Sequence, residues 1–200
     1  MTGSIRQLAL PLVLLGSLGL GGCVGAAIGA GAAGGIAVAQ ERSVGNAIDD
    51  SVIDANVNHQ LLQHSETLFT KVGTEVIEGR VLLTGVVPNA DDRVTATRLA
   101  WKVSGVKEVL NELEISDKSS VADFAKDSWI TAQLHGRLLA DQKVRDINYA
   151  VETVNGVIYL FGIAQDEDEL KQVTAHARTI KGVNKVVSHV LLKSDPRRKS

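Results

Sequence analysis

Nucleophilic catalysis, metal binding and phosphate binding each need particular residues at particular spacing, and this 200-residue chain holds fragments of all three. Its five histidines are His59, His64, His135, His176 and His189. His59 and His64 stand five apart, not the four that sets two ligands on one helix face, so the five read as scattered surface side chains rather than a metal site. Asp166-Glu167-Asp168-Glu169 could hold calcium, but it opens a predicted helix, where acidic side chains answer the macrodipole. The glycine-rich stretch 25–35 lacks the Lys-Ser/Thr of a phosphate loop. No Ser/His/Asp set has supporting context. The lone cysteine, Cys23, excludes an internal disulfide and a multi-cysteine zinc site. The chain reads as a non-enzyme, with no cofactor and no small-molecule substrate.

Composition narrows the partners. Lys and Arg number 21 and Asp and Glu 23, a net charge of -2. That balance argues against a nucleic-acid binder and against a disordered polyacid. With 44% hydrophobic and 4% aromatic residues, the core must be mostly Val, Leu, Ile and Ala.

Cys23 gains meaning from what precedes it. Arg6 is followed by an uncharged apolar run from Leu8 to Leu20, the n-region and h-region of a secretory signal. Leu20-Gly21-Gly22-Cys23 follows directly and resembles the lipobox of bacterial lipoproteins. The resemblance implies cleavage after residue 22 and acylation of Cys23 on its thiol and freed amine. Acyl chains contribute about 0.8 kcal/mol per buried CH₂. The other reading is an uncleaved anchor with an idle cysteine. Val24 stands where an Asp commonly signals inner-membrane retention in Gram-negative lipoproteins, so the resemblance favours the outer membrane, on its periplasmic face. Residues 23–46 then form a lipidated Gly/Ala-rich leader, and a glycine-zipper helix over 24–39 is the alternative to a flexible one.

The rest repeats itself with a shift of 77. Glu78-Gly79-Arg80-Val81-Leu82-Leu83-Thr84-Gly85 returns as Asn155-Gly156-Val157-Ile158-Tyr159-Leu160-Phe161-Gly162. Ile53 and Leu61-Leu62 match Ile130 and Leu138-Leu139 without a gap. Two copies of one unit follow, 47–116 and 121–194, with a polar linker between and a basic tail at 195–200. Each begins with a helix, marked by Ile53, Val57 and Leu61 or Ile130, Leu134 and Leu138. A strand, a tight turn at Glu78-Gly79 or Asn155-Gly156, a second strand, a second helix and a last strand (107–115 or 184–192) complete an α-β-β-α-β order.

At the repeated Gly-x-Val/Ile-x-Leu-x-Gly pattern and the Gly-Val-x-x-Val strand entry, the chain resembles the BON domain. With the lipobox ahead of two such units, it is similar to the dual-BON-domain outer-membrane lipoproteins. The resemblance implies an α+β fold, each unit a small three-stranded sheet covered by two helices on one face. It also implies a periplasmic, phospholipid-binding, non-enzymatic role in envelope integrity.

The copies differ in ways that suggest work. Residues Asp49–Ile115 carry 11 acids and 6 bases, net -5, against 8 of each from Lys126 to Leu192. The tail from Lys193 adds net +3. Anionic lipid would meet the second half more easily; an ordinary solvated surface is the plain reading. On the helix Val121–Ala140, the side away from the core stripe carries Val121, Ala125, Trp129, Ala132, Gly136, Leu139 and Ala140, flanked by Lys126, Gln133 and Arg137. A Trp beside small residues and cations suits a membrane interface. The family resemblance implies that this helix binds phospholipid, with Trp129 and Leu139 at matching places. Packing of Trp129 and Leu139 on the first unit or the linker is the alternative. On the sheets, Val157, Tyr159 and Phe161 face away from the helices where the first copy has Arg80, Leu82 and Thr84. Something must cover that apolar face. Sheet-to-sheet packing through Leu82, Val157, Tyr159 and Phe161 is the economical choice, a partner protein or second molecule the alternative. The two expectations for function are an anionic phospholipid membrane contact, or a scaffold for outer-membrane assembly or division proteins.

Overall fold

The computed structural model describes residues 43–117 and 121–199. The expected signal, Cys23 and most of the expected leader lie outside the described residues. In the first unit, α1 (Val44–His64) and the short α2 (Glu66–Lys71) lead into β1 (Val72–Ile77) and β2 (Arg80–Val87). Then follow α3 (Ala90–Trp101), β3 (Glu108–Asn111) and β4 (Glu114–Ile115). The second unit runs α4 (Val121–Ala140), β5 (Tyr149–Val154), β6 (Val157–Ala164), α5 (Glu167–Arg178) and β7 (Lys185–Leu192). The α+β architecture is that of two tandem α-β-β-α-β units.

In each sheet the second strand of the hairpin is central. β2 pairs antiparallel with β1 and parallel with β3, and β6 does the same with β5 and β7. The turns explain the register. Glu78 and Gly79 have φ of 56° and 77°, Asn155 and Gly156 50° and 76°, the left-handed pair that a two-residue hairpin of this hand requires. The glycine ending the repeated motif is needed for a different reason. A Cβ on Gly85 would lie 2.1 Å from the Lys71 carbonyl oxygen, and one on Gly162 2.2 Å from that of Asn148.

Alternation along the central strands builds three apolar layers. Val81 and Leu83 join Ile53, Val57 and Leu61 of α1 and Ala96 and Leu99 of α3 in one core. Ile158 and Leu160 join Ile130, Leu134 and Leu138 of α4 and Val173 and Ala177 of α5 in a second. From the opposite sheet faces, Leu82, Tyr159 and Phe161 bury one another, with Ile77, Leu110, Val154 and Val157 packed against them. The molecule is therefore a helix–sheet–sheet–helix sandwich, with α1 and α3 on one outer side and α4 and α5 on the other. The face holding Arg80, Leu82 and Thr84 is buried too, at 8%, 0% and 3% exposure.

One element departs from the expected strand. The run 107–115 is broken at Glu112-Leu113 into β3 and β4, both paired with β2, whereas β7 is continuous. Asn111 Oδ1 accepts the Leu113 N–H at 3.0 Å while its amide donates to the Arg93 carbonyl and the Thr97 hydroxyl. A side chain that satisfies local backbone groups competes with the ladder, and Leu113 turns into the core at 2% exposure.

Candidate functional site

The second unit presents α4 as an amphipathic helix anchored on three sides. Its core stripe, Ile130, Leu134 and Leu138, is fully buried. At its N-terminal half, the buried Asp127 carboxylate accepts the backbone N–H of Asn155 at 2.7 Å and of Gly156 at 2.8 Å. Further along, Thr131 and Thr153 share a hydrogen bond at 2.8 Å, and His135 Nδ1 meets Asp146 at 2.8 Å. At the C-terminal end, Asp141 and His176 of α5 pair at 2.8 Å. The His176 hydrogen bond, with the Lys143 amide beside it, holds the Asp141 carboxyl below the usual carboxylate range.

With those contacts made, α4 exposes a different face. Val121 opens the helix. Trp129 is 67% exposed and Leu139 74%. Ala125, Lys126, Ala132, Gly136 and Ala140 are exposed beside them, and Gln133 is half-buried. Nothing lies within 4 Å of where a Cβ on Gly136 would be. At 100° per residue, Ala125, Trp129, Ala132 and Gly136 fall on one line of sight, with Lys126 along one margin and Leu139 along the other. Among the described residues, this face packs on neither the first unit nor the linker's flanks: Trp129 and Leu139 join none of the buried apolar clusters.

Several side chains behave otherwise than the sequence suggests. Arg137 is half-buried and donates to Thr179 Oγ1 at 2.6 Å and to the His176 carbonyl at 3.4 Å, so it closes the C-terminus of α5. The basic tail is partly committed as well. Arg198 forms a two-pronged pair with Glu78 at 2.8 and 2.9 Å, and Arg197 pairs with Asp195. Lys126 is the cation left exposed on the margin of α4. Three histidines expected as scattered surface groups, His135, His176 and His189, instead face Asp146, Asp141 and Glu112. Glu169 of the acidic run is buried at 3% exposure and accepts the Arg145 and Gln165 amides, while Asp166 caps α5. Phe124, which the helical stripe does not include, is 74% exposed. It stands over a groove between the units lined in part by Val72, Val86 and Val154. A Phe one residue before Ala125, off the core stripe of Ile130, Leu134 and Leu138, was the available signal.

The inter-unit contact is closed by polar groups around Leu82, Tyr159, Phe161 and Val157. The Arg80 guanidinium lies 5.0 Å from the Phe161 ring centre, donates to the His189 carbonyl at 3.1 Å, and pairs with Glu108. His189 Nε2 lies 2.8 Å from Glu112. Those two residues are 77 apart, the repeat length, so they are equivalent positions that touch. Such a contact arises at a pseudo-two-fold axis. Each hairpin turn also reaches the other unit, Glu78 to Arg198 beyond β7 and Asn155 to Glu114 of β4. Among the described residues, no group of three or more His, Cys, Asp or Glu could hold a metal, and no helix is long and apolar enough to cross a membrane.

Two pseudo-symmetric sandwich halves, each an α-β-β-α-β unit, define a duplicated two-domain protein. The BON domain family matches at residues 49–117 and 126–194, and the chain belongs to that family. It is 44% identical over 147 residues to an Anaplasma centrale protein described as "Uncharacterized protein in gshII 5'region", covering 73% of this chain and 96% of that one. It is 37% identical over 177 residues to the outer membrane lipoprotein DolP of Haemophilus influenzae, covering 88% and 91%. It is 31% identical over 147 residues to the osmotically-inducible protein Y of Escherichia coli K12, covering 72% and 73%.

Proposed function

We propose that this protein is an envelope lipoprotein, anchored by acyl chains on Cys23 in the outer membrane and facing the periplasm. There it binds anionic phospholipid through the outer face of α4 and supports envelope integrity. The exposed Trp129 at the centre of that face carries the reading. A 67% exposed Trp between Lys126 and Leu139 offers an apolar ring with a polar edge, the arrangement favoured at headgroup depth. The relation to an outer membrane lipoprotein over most of both chains supports the location. Acyl anchoring raises the local concentration of the second, weaker contact, so a modest affinity of α4 suffices. Lys126 supplies attraction of about 1 kcal/mol near an anionic surface. Arg137 contributes chiefly by fixing α4 to α5.

The test is co-sedimentation of the unlipidated protein with phosphatidylglycerol vesicles and with phosphatidylcholine vesicles. Binding to the first, reduced by Lys126→Glu, supports the proposal. Equal partition to both, or none, sinks it. The scaffold alternative then gains, with the α4 face bound to protein instead.

A further inference from the structure

The helix layer of the first unit carries a second apolar patch, on the side of the sandwich opposite α4. Val94 and Trp101 stand seven apart on α3 at 65% and 51% exposure, and Ile115 ending β4 is 50% exposed. With Arg93, Thr97 and Arg98 they line one shallow groove. Its lining holds two arginines and no carboxylate, although Asp49–Ile115 as a whole is net -5. Arg93 is held by the Asn111 carbonyl at 3.2 Å, whereas Arg98 lies exposed at the rim. The fold does not demand this surface. The matched positions 77 residues on are Lys171, Arg178 and Leu192, so the second unit replaces Val94 and Trp101 by charges. Trp and Arg are the residue types that most often dominate protein interfaces.

Placement in the sandwich decides the class of occupant. With α4 against the membrane, the α3 layer faces away from it. We infer that the groove formed by Val94, Arg98, Trp101 and Ile115 docks a protein segment that presents apolar side chains flanked by carboxylates. This step rests on α4 being the membrane face. Apolar contacts fill the groove around Trp101, and Arg98 pairs with the partner's acid.

The test places a photoreactive residue at Val94 in the full lipidated chain, in intact cells, and maps the linked segment by mass spectrometry. The expected product is an adduct to a protein segment with apolar residues and an Asp or Glu beside them. Arg98→Glu in the same chain should lower its yield by about tenfold, the factor for 1.4 kcal/mol. No adduct, an adduct to lipid or to a second copy, or a yield indifferent to Arg98→Glu overturns the inference. Arg98→Glu and Trp101→Ala in the unlipidated protein should leave phosphatidylglycerol vesicle binding unchanged. Loss of vesicle binding there, with Trp129→Ala silent, would instead overturn the α4 reading.

Discussion

The Asp127 carboxylate holds the Gly156 backbone amide at 2.8 Å, and 77 residues earlier Asp50 holds that of Gly79 at the same distance. In both units one buried Asp on the first helix closes both amides of the hairpin turn. Hydrogen bonds to a charged group contribute about 1.5–3 kcal/mol each, and a buried donor left unpaired costs more than a neutral swap. Asp127→Ala should therefore destabilise the protein by roughly 2–4 kcal/mol in urea unfolding. Asp50→Ala should cost a similar amount. A loss below about 0.5 kcal/mol in both would contradict the role.

Two glycine substitutions should move stability in opposite directions. Gly85 has φ 120°, and a Cβ there meets the Lys71 oxygen at 2.1 Å. Gly85→Ala should cost well over about 1 kcal/mol. Gly136 lies mid-helix with open space around it, so Gly136→Ala should stabilise by up to about 1 kcal/mol. Thermal melts of the two variants check the pair of signs.

Both tyrosines should resist ionisation. Burial, with the Glu114 and Glu112 charges, pushes the Tyr159 phenol from 10 up to about 12. Burial and the nearby Glu169 raise Tyr149 further. A raised phenol favours the fold fully below the unfolded value near 10 and loses that contribution as pH rises through about 12. Ultraviolet titration should show no tyrosinate step near pH 10 in the folded protein. A full step there would contradict the burial.

Phe161 is fully buried between the sheets, beneath the Arg80 guanidinium. Phe161→Ala should cost about 3–5 kcal/mol and loosen the two units. NMR relaxation should report one tumbling time for the wild type and two for the variant. Independent tumbling of the wild-type units would contradict the sandwich.

Much of the architecture was legible because duplication preserved the apolar positions and the turns. Ile53 and Ile130, or Gly85 and Gly162, face the same packing constraints in each copy. The apolar outer sheet face implied a cover, since Tyr159 and Phe161 could not stay in water. What escaped sequence reasoning depends on contacts between distant segments. Asp127 looks like any helical acid until the turn 28 residues on meets it. Arg137 sits correctly on the helical wheel, yet α5 captures its guanidinium. Arg198 reads as a free tail cation until Glu78, 120 residues earlier, binds it. The broken last strand of the first unit follows from the Asn111 side chain, which periodicity does not register.

The chain has two tryptophans, Trp129 on α4 and Trp101 on α3, and the sandwich puts them on opposite sides. Fluorescence quenching by brominated phosphatidylglycerol vesicles therefore tests the central claim most directly. In Trp101→Phe, the remaining Trp129 should shift to the blue and be quenched. In Trp129→Phe, the remaining Trp101 should do neither. Quenching of Trp101 with Trp129 untouched, or of neither residue, would contradict the assignment of α4 as the membrane face.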